Sequence, residues 1–309
     1  MPIAYLHHPD CLLHNMGTGH PERPSRINAI EDQMKASQLM EFARYYEAPL
    51  ATRQQLARVH DVKYIDNILT FNGEQGDTYL DPDTMLMAKT PQAALRAAGA
   101  AIHATDLVLT KKHDVAFCNI RPPGHHALRD QAMGFCFFNN VAVGVAHAIE
   151  EYGLSRVAIL DFDVHHGNGT EAIFTDEPRV MLCSTFQHPF YPCSGADTVS
   201  DHIINVPLLA GTSGEKFREA VTTYWLPVLD KFAPQMIFIS AGFDAHKDDG
   251  MSLLRLRDED YAWVTQEALA VADKYAEGRI VSTLEGGYKL HALGRSVAAH
   301  LKVLMRMDG

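Results

Sequence analysis

Cysteine is scarce and unpatterned in this sequence. Its five residues, Cys11, Cys118, Cys136, Cys183 and Cys193, are odd in number, scattered, and contain no C-x-x-C pair. That spacing supports no disulfide framework, and a reducing compartment is the simplest reading. Long hydrophobic runs are also missing: nowhere do eighteen uncharged apolar residues follow one another, and the first eight residues carry neither a basic nor an apolar targeting region. A cytoplasmic protein without a membrane span is expected. Basic residues are outnumbered, 27 Lys and Arg against 38 Asp and Glu for a formal charge of -11, and they form no dense run. Direct nucleic-acid binding, which needs cations along a phosphate backbone, is therefore not expected. An acidic surface attracts cationic ligands such as lysine side chains or polyamines at long range, and it equally serves solubility alone.

What is present is an ordinary globular composition, 47% hydrophobic and 21% charged over 309 residues. One domain spanning residues 1–309 around a single sheet is the default expectation. The first hundred residues read mainly as helix, over 24–37, 62–71 and 91–109, separated by Gly/Asp/Pro-rich loops at 73–76 and 81–83. From residue 114 the pattern changes to short, nearly continuous apolar runs at 115–118, 157–160, 180–183, 236–239 and 280–284. Helical segments at 141–150, 215–229 and 260–275 separate several of them. Strands without apolar/polar alternation belong to a parallel sheet covered on both faces, so the expected fold class is α/β, a three-layer α/β/α domain with a mostly parallel central sheet.

In such sheets ligands bind at the loops leaving the carboxyl ends of the strands, and the unusual polar residues lie there. Asp163 and His165 are two apart, so an extended strand end presents both side chains on one face. With Asp244 from another strand end they offer one imidazole and two carboxylates, three ligands that leave a divalent cation open positions for water and substrate. Zinc accepts this set, as do Fe(II), Co(II) and Mn(II). His125 and His126 follow Pro122-Pro123-Gly124, a rigid turn able to aim both imidazoles into one pocket as acid and base. Asp161 and Asn168 flank the ligand pair and are candidates to fix the two tautomers. Tyr288 follows Gly286-Gly287, where its phenol is a candidate hydrogen-bond donor to an oxyanion. Each feature alone also has a plainer explanation, such as a helix cap, solvated histidines or a glycine turn; the argument rests on their combination.

The combination resembles the metal-dependent histone deacetylases and their bacterial relatives of the arginase/deacetylase fold. The resemblance runs through His20-Pro21-Glu22-Arg23-Pro24, Arg121 to Ala127, Gly134 to Asn140, Asp161 to Thr170, Ser240 to Ala245 and Leu284 to Tyr288. Asn168 and the His-Pro-Glu-Arg-Pro segment look more like the class II branch. The resemblance implies a zinc-dependent deacylase acting on an acylated lysine or an acetylated cationic amine. It implies Asp163, His165 and Asp244 as zinc ligands, His125 and His126 as the acid/base dyad backed by Asp161 and Asn168, and Tyr288 as the carbonyl-polarising phenol. It further implies Phe135 and Tyr191 as walls of the substrate tunnel, Gly134 as a backbone acceptor, and Arg23 beside an internal acetate channel. A structural potassium site is implied at Asp161, Asp163, His165, Ser184 and Thr185, mostly through carbonyl oxygens.

The sequence also departs from the family. Tyr191 replaces the usual phenylalanine, Cys193 the usual glycine, and Asp81 sits one place from the rim aspartate of some relatives. Asp248 and Asp249 favour a cationic substrate if they reach the mouth and are a solvated loop if they do not. Two other readings stand beside the lysine deacylase: an acetylpolyamine hydrolase on the same site, and a non-catalytic module that binds acylated lysine. A two-metal ureohydrolase needs bridging carboxylates where this chain has Gly167 and His246.

Overall fold

The computed structural model describes residues 2–74 and 76–307, so Met1 and Gln75 of the expected 73–76 loop lie outside the described residues. The described residues form ten strands: β1 Ile3–His7, β2 Ala43–Glu47, β3 Thr78–Asp81, β4 Thr84–Leu86, β5 Val115–Cys118, β6 Val157–Asp161, β7 Val180–Gln187, β8 Ile203–Leu208, β9 Met236–Ala241 and β10 Ile280–Leu284. Eight form one sheet in the order β2-β1-β5-β10-β9-β6-β7-β8, with every neighbouring pair parallel. β3 and β4 pair separately as an antiparallel hairpin.

The twofold alternation of strand side chains splits the core in two. Tyr5, Phe117, Leu160, Ile239 and Ile280 point into one apolar cluster, with residues of helices Ser25–Ala36, Asp258–Tyr275 and Leu290–Leu304. Their sequence neighbours Leu6, Cys118, Ile159, Phe238 and Val281 point into a second, with Thr90–Leu109 and Asn140–Tyr152. Each central strand is thus apolar on both faces, which is why its run shows no alternation. The expected 215–229 helix runs as Gly214–Ala220, a π-helical turn Val221–Trp225 and Leu226–Phe232. Pro227, in the first turn of the last piece, lacks the N–H that would continue a regular α-helical ladder.

The strand order decides what the fold does with its polar loops. β5, β10, β9 and β6 are four adjacent strands, and they precede the loops carrying His125/His126, Tyr288, Asp244 and Asp163/His165. All four loops leave the same edge of the sheet and meet.

Candidate active site

Asp163, His165 and Asp244 each contribute one ligand atom to a group lying within 4.8 Å of one another, and all three are buried. The backbone builds this cluster with its own donors. Asp161 Oδ1 accepts the Asp163 N–H (3.1 Å), Asp163 Oδ1 the His165 N–H (2.9 Å), Asp163 Oδ2 the Gly286 N–H (2.8 Å) and Asp244 Oδ1 the Val164 N–H (3.0 Å). Glycine is required where strands crowd the carboxylates: a Cβ on Gly242 would stand 2.1 Å from Asp163 Oδ2, and one on Gly286 2.1 Å from Asp244 Oδ2.

The cluster fits a cation on charge and on geometry. Among the described residues no lysine or arginine pairs with Asp163 or Asp244, although both are buried. Two buried carboxylates sharing one imidazole, with no lysine or arginine beside them, are costly. Among the described residues Asp244 Oδ2 has no hydrogen-bond partner; it lies 3.3 Å from His165 Nδ1 without hydrogen-bond geometry. Burial and then the charge of Asp163 raise Asp244 to about 6. Burial disfavours a charged His165, but Asp163 and Asp244 outweigh it and lift the imidazole to about 9. An ion between the three would relieve both distortions.

The two neighbouring histidines are set apart by what stands behind them. His125 Nδ1–H donates to Asp161 Oδ2 (3.0 Å), and His126 Nδ1–H donates to Asn168 Oδ1 (2.8 Å). Burial opposes charge on His125, yet Asp163, Asp161 and Glu285 together raise it to about 10. His126, backed by a neutral amide, is held well below its ordinary value by burial and by the charges of His125 and His165. The ring centres are 4.1 Å apart, and their surroundings push the two imidazoles in opposite directions.

A pocket of about 180 Å³ opens over this cluster, lined by Phe135, Phe190, Tyr191, Met251 and Tyr288 with Gly134, His126 and His165, and with Asp83 beside them. Phe135 meets Tyr288 edge to face at 5.9 Å, and Phe190 stacks on His165 at 5.5 Å. Tyr191 meets His126 edge to face at 5.2 Å and is 36% exposed. Gly134, at φ +55°, passes so close to His126 that a Cβ would stand 2.4 Å from the ring. Burial keeps the Tyr288 phenol well above its ordinary pKa, so it stays protonated and able to donate. Larger surface clefts of about 470 and 660 Å³ are lined by other residues, and among the described residues they hold no metal-competent group.

Several residues stand elsewhere than expected. Arg23 is exposed, because it precedes the helix that starts at Ser25. Arg26, one turn later and facing inward, takes the buried place behind Tyr288: its guanidinium lies 4.9 Å from the phenol ring centre and donates to Gly287 O (2.6 Å) and Glu285 O (2.5 Å). Arg26 and Arg121 converge on buried Glu22, which they hold down to about 2 against the cost of burial. Asp249 does not reach the mouth; it is buried, and its oxygens accept backbone N–H groups. Asp248 is exposed and lies 3.7 Å from Arg295. Asp81 is consumed by the hairpin and by the Gly134 N–H (3.1 Å), leaving Asp83 to face the pocket. Glu285, missed from sequence, anchors the turn after β5 by accepting the Gly124 and His125 N–H groups (2.7 and 3.2 Å). Its place in the Leu-Glu-Gly-Gly-Tyr motif was the available signal. Ser184 pairs opposite Asp161 in the β6–β7 ladder, and among the described residues its buried hydroxyl has no partner.

Polar strand-end loops of a parallel sheet, closing on a buried metal-competent cluster beneath an apolar pocket, define an α/β enzyme with a hydrolytic type of site. A family model described as "Histone deacetylase domain" matches residues 20–304. The chain is 36% identical over 277 residues to the histone deacetylase-like amidohydrolase of Pseudomonas aeruginosa, covering 87% of this chain and 73% of that protein. It is 33% identical over 332 residues to the polyamine deacetylase HDAC10 of Mus musculus, covering 99% of this chain and 48% of that protein. Among solved structures, the HDA15 HD domain superposes with a TM-score of 0.93 at 32% identity, covering 98% of this chain and 88% of that one. The chain belongs to the histone deacetylase family, the amidohydrolases of the arginase/deacetylase α/β fold.

Proposed function

We propose that this chain is a zinc-dependent deacylase that hydrolyses the side-chain amide of N-acetyl-lysine in a protein or peptide. The observation that carries the reading is the buried Asp163–His165–Asp244 cluster, whose three ligand atoms lie within 4.8 Å of one another, at a pocket shared by His126 and Tyr288. An ion held by these three residues supplies Lewis acidity to an amide carbonyl and lowers the pKa of a coordinated water. Fe(II) and Co(II) suit the same ligands as zinc.

The side chains divide the remaining work. His126 Nε2, with Nδ1–H fixed on Asn168, takes the proton of the attacking water and returns it to the leaving amine. His125, its Nδ1–H fixed on Asp161, stabilises the negative charge that develops beside it. The Tyr288 hydroxyl donates to the oxygen of the tetrahedral oxyanion. Phe135, Phe190, Tyr191 and Met251 form an apolar sleeve suited to a lysine methylene chain. A structural potassium ion near Asp161, Asp163, His165, Ser184 and Thr185 is part of the proposal, supported by the unpartnered Ser184 hydroxyl.

A second reading, deacetylation of a polyamine, is favoured by the likeness to HDAC10 and by Asp83 beside the pocket. The apolar sleeve, whose one acid is Asp83, favours lysine. A panel of acyl-lysine peptides and acetylated polyamines compared by kcat/KM decides between them. Peptides are expected to win, and a clear preference for polyamines would reverse the assignment. A pocket that binds acetyl-lysine peptides without turning them over would instead mark a binding module.

A further inference from the structure

The loop after β9 and the loop after β10 are joined through one carboxylate. Asp249 Oδ2 accepts the backbone N–H groups of Tyr288 (2.6 Å) and Lys289 (2.9 Å), and Oδ1 accepts that of Met251 (3.0 Å). Among the described residues these N–H groups have no other acceptor. The other backbone N–H donors of the stretch stop short of Tyr288: Glu285 N–H donates to Ala241 O (2.9 Å) and Gly286 N–H to Asp163 Oδ2 (2.8 Å). Residues 285–289 form neither helix nor strand, and Gly287 sits at φ +121°, a conformation that glycine adopts without strain. Arg26 holds the stretch from the other side through the Gly287 and Glu285 carbonyls. Tyr288 and Met251, both lining the pocket, thus hang from the two oxygens of a single buried side chain.

We infer that Asp249 is a positioning residue for the reaction: it fixes the Tyr288 hydroxyl above the substrate carbonyl and sets the Met251 wall in the same act. This rests on the phenol role proposed above. A carboxylate suits the task because it accepts from three N–H donors at once, whereas an amide presents an NH₂ to at least one of them. Displacing a catalytic group by about 1 Å costs rate on the order of 100-fold while leaving binding of the remaining substrate nearly intact.

The test is a cycle of Asp249→Asn, Tyr288→Phe and the double variant, each measured for kcat, KM and bound metal. Asp249→Asn is expected to lower kcat by about 10–100-fold with KM within about 3-fold and metal content unchanged. In the Tyr288→Phe background it should cost less than about 3-fold, because the group it positions is gone. Full additivity, or loss of metal, would overturn the inference by showing a general structural role. Tyr288→Phe without effect would refute the phenol role instead. Amide exchange then still decides the clamp: the Tyr288 and Lys289 N–H groups should be protected in the wild type and exchange at least about 10-fold faster in Asp249→Asn. Unprotected wild-type amides there would refute it, whether or not the variants fold.

Discussion

His60 and His300 are as deeply buried as His125 and His126, yet the two pairs live by different rules. His60 Nδ1–H donates to Leu128 O (2.8 Å) and its Nε2 accepts from the Asn139 N–H (2.9 Å). His300 lies between the hydroxyls of Thr265 (2.7 Å) and Ser282 (2.9 Å). Both rings are spent on neutral partners, and burial holds them neutral, at about 4 and about 3. His125 and His126 each have one nitrogen fixed; the other nitrogen of His125 lies 3.7 Å from Asp163, and His126 lines the pocket over the cluster. A saturated ring stabilises a fold, and a half-saturated ring beside unbalanced charge is free for chemistry. The deficit of partners, more than the presence of histidine, marks the site.

This contrast is open to experiment. The largest effect is expected at His126: replacement by alanine should lower kcat by about 10²–10⁴-fold while the thermal midpoint changes little, as read by steady-state kinetics and calorimetry. Tyr288→Phe should follow, at about 10²–10³-fold in kcat with near-native KM. For the saturated pair the consequence is stability. The folded pKa of His60 lies below its unfolded value of 6.5, so its contribution is complete above pH 6.5 and is lost as pH falls toward 4. At pH 5 the loss is about 2 kcal/mol, and His60→Gln should shrink the pH 7-to-5 change in urea-unfolding free energy by that amount. The smallest effect is expected at half-exposed Tyr191, where phenylalanine should leave kcat/KM within about twofold, ~0.5 kcal/mol.

How much of this was legible in the sequence follows from where each residue sits. β5, β6, β7, β9 and β10 are buried on both faces and announce themselves as apolar runs. β2 is a partly exposed edge strand reading Ala-Arg-Tyr-Tyr-Glu, and β8, the opposite edge, contains Pro207, so neither carries that signal. β1 and the last helix, Leu290–Leu304, were also missed. The metal and histidine residues were readable because their spacing within a loop is itself the chemistry. Arg26 was not, because whether Arg23 or Arg26 faces inward depends on where the helix begins; burial at Arg26, Ile27, Ile30 and Met34 fixes that register. Glu285 and Asp249 act by accepting backbone N–H groups from residues up to 161 and 40 positions away, and no local pattern encodes that.

The central claim is that Asp163, His165 and Asp244 hold one catalytic cation. Its most direct test is metal titration of the chelator-treated protein, followed by elemental analysis and an acetyl-lysine peptide assay, for the wild type and Asp244→Asn. The account predicts one tightly bound divalent ion per chain, activity restored in step with its binding, and loss of both in the variant. Full activity in the metal-free protein, or a requirement for two divalent ions per chain, would contradict it.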